Sequence, residues 1–188
     1  MAINMKALFA DALLDLCEHK PLRYISVTDL SKITGASKTT FYNHFQDKND
    51  LIHYIYSKRI LRSWEDSLQS HSELAIRTEF YACMLPYKRF LMQAFQIEGQ
   101  NSLADFAYEF CVSWYEKQLA KRLGPDKQIP SDLHFSCHFV SYGIVYSFIE
   151  WINNGMSETP EKLAANIAVS MPARLKSVLF SQSETDSC

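Results

Sequence analysis

The chain has 188 residues, 47% of them apolar and 21% charged, and its net charge at pH 7 is −2. That is long and apolar enough to bury a sizeable core as one unit or two small ones, and it excludes a disordered chain. Nothing in the global balance announces a nucleic-acid partner.

The N-terminal run MAINMKALFADALLDLCEHK carries acids among its apolar residues, so it is neither a signal peptide nor a membrane span. No other segment approaches the roughly 20 apolar residues that a span needs. The cysteines (Cys17, Cys83, Cys111, Cys137 and Cys188) are scattered, odd in number and form no C-x-x-C. This suits a reducing compartment, and a soluble cytoplasmic protein is expected. A redox switch is not, since only Cys17, near His19 and Lys20, has neighbours that would favour a thiolate.

In chain order, helix one is expected over about 3 to 19, with Leu8, Phe9, Ala12, Leu13, Leu16 and Cys17 at helical spacing and Pro21 beyond its end. Ser26 can cap a second helix, with Asp29 reaching back as in a capping box and Ile25 and Leu30 as a hydrophobic staple. Gly35 supplies the positive φ that ends this helix. Ser37 caps a third, which runs to about Phe45. Phe41 and Phe45 lie one turn apart and can both face a core. That leaves Lys38, Thr39, Tyr42 and Asn43 outward, the form of a helix-turn-helix whose second helix enters the major groove. Charge is distributed accordingly. Residues 20 to 48 hold five bases against two acids, whereas residues 1 to 19 hold one base against three.

Helix four is expected from an Asp47 cap past Trp64, one side traced by Leu51, Ile55, Lys58 and Arg62. Residues 73 to 123 read as two or three aromatic-rich helices, broken at Pro86 and loosened at Ile97-Glu98-Gly99. A loop is expected at 124 to 131, then helix eight to about 154 with Ser131 as its cap. Thr159-Pro160 opens helix nine, whose stripe is Leu163, Ile167, Met171, Leu175 and Leu179, with a kink or local break at Pro172. The tail 181–188 is expected to be disordered. The expected fold class is all-α, about nine helices.

The stretch SVTDLSKITGASKTTFYNHFQDKNDL resembles TetR-type transcriptional regulators, above all in Thr40-Phe41-Tyr42-Asn43-His44-Phe45 followed by Lys48. It departs at Thr39, where many of these proteins carry Gly. Further on, YGIVYSFIEWINNGMSETPEKLAANI resembles the closing helix pair of a branch common in low-GC Gram-positive bacteria. The resemblance implies residues 1–50 as a DNA-binding domain and 51–180 as a dimerisation and effector domain. Thr28, Thr40, Tyr42, His44 and Lys48 would then contact phosphates, and Lys38, Thr39 and Asn43 would face base edges, with Ser37 at the helix cap in the same set. Asn43 can pair with adenine and Lys38 can reach guanine. The implied partners are a pseudo-palindromic double-stranded DNA operator and a second copy, joined through helices eight and nine.

The resemblance also implies a repressor released when an effector enters the aromatic core. The candidate lining is Phe80, Phe90, Phe106, Phe110 and Trp114, with Arg89, Gln93 and Gln96 as polar residues among them. A packed core is the competing reading. In a second mode of control, a protein co-regulator docks on the C-terminal body and no small molecule is needed. Neither a cofactor nor a metal is expected. His134, Cys137 and His138 have a spacing that can hold a metal, but the sequence offers no further ligand nearby. An enzyme is not expected either, because G-x-S-x-G, P-loop, G-x-G-x-x-G and H-E-x-x-H motifs are absent.

Overall fold

A computed structural model describes residues 4–62, 64, 72–124 and 127–180. The fold is all-α, and the described residues contain no strand. The expected tail 181–188, the chain immediately past Trp64, Pro125 and Asp126 of the expected loop, and residue 3 of helix one lie outside the described residues.

The N-terminal helices close around phenylalanine. Helix α1 (Met5–His19) starts on an Asn4 cap and buries Phe9, Leu13 and Cys17. Pro21 then opens a 3-10 turn, Leu22–Tyr24. Helix α2 (Val27–Thr34) carries the full capping box: the Ser26 hydroxyl accepts from the Asp29 N–H, and the Asp29 carboxylate accepts from the Ser26 N–H. Gly35 ends α2 at φ 70°, the left-handed region that Gly adopts without a Cβ clash. Helix α3 (Lys38–Tyr42) is shorter than expected, since Asn43 and His44 already form a turn. Phe41 meets Phe9 edge to face, 5.2 Å between ring centres, and Phe45 lies 5.5 Å from Phe41.

Helix α4 (Lys48–Ile55) begins on Asp47, whose side chain accepts from the Asp50 N–H. It then widens into a π turn over Tyr56–Leu61. The inward residues here are Leu51, Ile52, Ile55, Tyr56, Ile60, Leu61 and Trp64. Their spacing of four, then five, then four keeps one buried face only because the π turn absorbs the extra residue. Lys58 and Arg62, which simple helical spacing set on the same side as Ile55, are exposed instead.

The body comprises α5 (Glu73–Met84), a 3-10 turn at Leu85–Tyr87, α6 (Lys88–Ala94), α7 (Leu103–Leu123), α8 (Ser131–Asn153), α9 (Pro160–Ser170) and α10 (Ala173–Phe180). Helix α8 begins one residue earlier than expected for its cap, with Ser131 already inside the helix and Pro130 before it. Its end explains the Trp-Ile-Asn-Asn-Gly-Met run. Gly155 and Met156 turn left-handed, the Met156 N–H reaches back to the Trp151 carbonyl at 2.8 Å, and the Trp151 indole donates to the Glu158 carbonyl. The expected break in helix nine falls at Met171-Pro172 and divides it into α9 and α10. Met171 is extended (φ −69°, ψ 136°), as a residue before proline prefers. Leu163, Ile167, Met171, Leu175 and Leu179 are all buried. Helix α7 packs against α8, α9 against α5, and α4 against α7. One continuous apolar core runs from Phe9 to Leu179.

Candidate nucleic-acid interface

Local chemistry builds the outer face of α2 and α3. Thr34 donates to the Leu30 carbonyl and accepts from the Ala36 N–H, which pins the turn through Gly35. The Ser37 hydroxyl accepts from the Thr40 N–H at 3.0 Å and pairs with the Thr40 hydroxyl at 2.9 Å. Those two hydroxyls hold the start of α3 in place. Under the helix, Phe41 and Phe45 are buried. Above it, Ser37, Lys38, Thr39, Tyr42 and Asn43 are exposed, Tyr42 by 57%. Thr28, Thr40 and His44 are half-buried at the edge. A short capped helix therefore presents one cation, an amide, two hydroxyls and a phenol on a single outward surface. Amide and ammonium groups can read base edges, and hydroxyls and phenol can bond phosphate.

Two charged residues of this region are engaged in holding it together. Asp29 bonds the Lys20 ammonium and both the N–H and hydroxyl of Ser26, each at 2.8 Å. These partners, Lys20 foremost, hold its carboxyl well below the usual carboxylate range. Lys48, expected at a phosphate, instead points into the unit. Its ammonium donates to the carbonyls of Leu22 (2.8 Å) and Ile25 (3.0 Å), with that of Arg23 at 3.5 Å. Partial burial lowers its pKa from the ordinary lysine value. It ties the start of α4 to the turn before α2.

The residues expected around a ligand separate into two groups. Phe80, Phe110 and Trp114 line a cavity with Tyr56, Trp64 and Arg77, but its volume is only about 40 Å³. Phe90 is buried outside that lining, and Arg89, Gln93 and Phe106 do other work. Gln93 accepts from the Leu22 N–H at 2.6 Å and donates to the Cys17 carbonyl, while Arg89 pairs with Glu18 at 3.6 Å. Phe106 stacks on His53 of α4 at 4.6 Å. These three form the joint between the first helices and the body.

No local motif marks Arg77. It is 2% exposed and its guanidinium donates to Glu73 (3.0 Å), the Tyr115 hydroxyl (2.8 Å) and the Met171 sulfur (3.2 Å). It thereby ties α5 to α7 and to Met171 at the break between α9 and α10. Burial opposes its charge, but Tyr115, Tyr81 and Glu73 more than offset this and hold it protonated. Burial also pushes the thiol of Cys17 up to about 12, and those of Cys111 and Cys137 up to about 11, so none of the three is a ready thiolate.

In the body, α8 exposes Phe135, Phe139, Tyr142 and Tyr146, each more than half accessible and spaced four, three and four residues apart. Beside this stripe a groove of about 560 Å³ separates α8 from α9. No helix among the described residues is long and apolar enough to cross a membrane.

Residues 76–172 match the family TetR_C_8, described as a transcriptional regulator C-terminal region. The chain is similar to the HTH-type dhaKLM operon transcriptional activator DhaS of Lactococcus lactis subsp. lactis (strain IL1403). Identity is 24% over 185 residues, covering 93% of this chain and 92% of that protein. Among solved structures, the dihydroxyacetone kinase operon activator DhaS shares the fold, with a TM-score of 0.67 at 20% identity, covering 93% of this chain and 98% of that one.

Proposed function

This chain belongs to the TetR-type family of transcriptional regulators, and from that premise we propose that it is a homodimeric, sequence-specific DNA-binding protein that recognises a pseudo-palindromic operator. The observation that carries the reading is the α3 surface, where Lys38, Thr39, Tyr42 and Asn43 face outward from a helix anchored by buried Phe41 and Phe45. Residues 1–50 supply the DNA contacts and residues 51–180 the dimer. The role is one of binding, with no catalytic step. Lys38, Thr39 and Asn43 read base edges, while Thr28, Thr40, Tyr42 and His44 set register on phosphates. Lys48 acts indirectly, by fixing α4 to the α2 entry.

The second subunit sits on the aromatic stripe of α8. Four exposed rings on one face of a helix form the kind of apolar patch that marks an interaction site. A two-fold axis there relates the two α3 helices by symmetry, as recognition of a symmetric operator requires.

The aromatic core favours control by a docked protein over control by a small molecule. Its cavity of about 40 Å³ compares with roughly 300–1,000 Å³ for typical ligand sites. A protein partner on the body needs no cavity, and it can act as readily in activation as in repression. The relative's name states activation for that protein.

Competition binding on duplexes tests the base-reading assignment. Asn43→Ala should lose about 1–3 kcal/mol on the preferred operator and almost nothing on scrambled DNA. Tyr42→Phe should weaken both alike. An Asn43→Ala protein that keeps its full preference would remove Asn43 from the reading set.

A further inference from the structure

Helices α7 and α8 bring together three metal-ligating side chains. His134 and His138 lie one turn apart on α8, and Glu116 stands opposite them on α7. One ligand atom from each lies within 4.8 Å of the other two. The His134 Nε2 is 3.2 Å from Glu116 Oε1, and the two imidazole centres are 4.7 Å apart. A fourth residue fixes the geometry: the Nδ1 of His138 is 2.6 Å from the hydroxyl of Tyr108, also on α7. Cys137, which shares the sequence spacing, is fully buried and is not among the three grouped side chains.

We propose that Glu116, His134 and His138 form a binding site for a divalent transition metal of the Zn²⁺ class, clamping α7 to α8. Two imidazoles and one carboxylate suit zinc, whereas magnesium and calcium prefer oxygen alone. Three protein ligands leave a fourth tetrahedral position for water or an incoming group. Metal–ligand bonds of about 2.0–2.2 Å require the three donor atoms to approach to roughly 3.4 Å. The side chains have freedom to close that distance, since His134 is 56% and Glu116 33% exposed. An ion pair accounts for His134 and Glu116 and a hydrogen bond to Tyr108 for His138, while a metal would engage all three side chains at once, the two imidazole centres being 4.7 Å apart. In the tautomer that donates Nδ1–H to the Tyr108 oxygen, His138 keeps its Nε2 lone pair for a metal, and a hydrogen-bonded outer partner of this general kind orients metal-bound histidines. The sequence showed only the α8 histidines. Glu116 joins them through tertiary packing.

The test is a zinc titration of the tag-free, metal-free full chain against a chromophoric chelator, with no DNA present. One zinc ion per protomer is expected, with a rise in melting temperature that grows with free zinc. The double variant His134→Gln/His138→Gln should abolish saturable binding while its circular dichroism stays that of the parent. Tyr108→Phe removes no ligand and should weaken binding by about 10-fold or more. His19→Gln, a histidine outside the cluster, should bind as the parent does. Absence of saturable binding in the parent, or affinity retained by the double variant, would overturn the site. An unchanged Tyr108→Phe would overturn the orienting role given to Tyr108.

Discussion

Replacing Arg77 by Met is expected to destabilise the fold by about 3 kcal/mol, because removing one member of a buried ion pair leaves the other charge uncompensated. For a chain of this size that corresponds to a fall of roughly 6–12 °C in melting temperature. Glu73, with a side chain only 9% exposed, would keep one cationic partner among the described residues, Lys176, at 3.5 Å and itself 45% exposed. The Tyr115 hydroxyl would lose the guanidinium to which it is bonded. The double variant Arg77→Met/Glu73→Met should recover most of the loss, since an apolar pair of similar volume can replace a buried ionic one at little cost. Urea melts of the two variants decide the matter. A single variant as stable as the parent would mean that Arg77 does not brace the break at Pro172.

Phe135→Glu/Phe139→Glu should convert the protein to monomers and reduce operator affinity by about 1,000-fold or more, toward the non-specific level. Both rings are exposed in the single chain, at 69% and 62%, so the fold itself should tolerate the change. Carboxylates in the centre of an apolar subunit interface would have no partner when buried, and dimerisation would fail. One five-residue helix then engages the DNA alone. Light scattering should report the monomer mass and circular dichroism the parent's helix content. A variant that stays dimeric would place the interface elsewhere on the body.

The contrast between these positions and α3 shows what the sequence could reveal. Ser26, Asp29, Gly35 and Ser37 act on backbone groups within three or four residues of themselves, so caps and turns can be read off the letters. Phe41 and Phe45 follow helical spacing in the same way. The proline break in helix nine was equally local. Arg77 was not, for its partners Tyr115 and Met171 lie 38 and 94 residues further along the chain. Lys48 looked like a phosphate ligand because its motif position suggests one, yet carbonyls some 25 residues upstream take its ammonium. Arg89 and Gln93 sat among aromatics in the sequence but face α1 and the following turn in space. The π turn in α4 was hidden as well, since a helix of ordinary pitch fits the same letters equally well until burial at Ile60 and Leu61 is known.

If two copies of α3 read one symmetric site, selection from a random duplex pool will reveal it. The full-length protein should enrich inverted repeats whose half-site centres are about 34–36 Å apart, or a multiple of that distance, along the DNA. Enrichment of sites without inverted symmetry, or no enrichment at all, would contradict it.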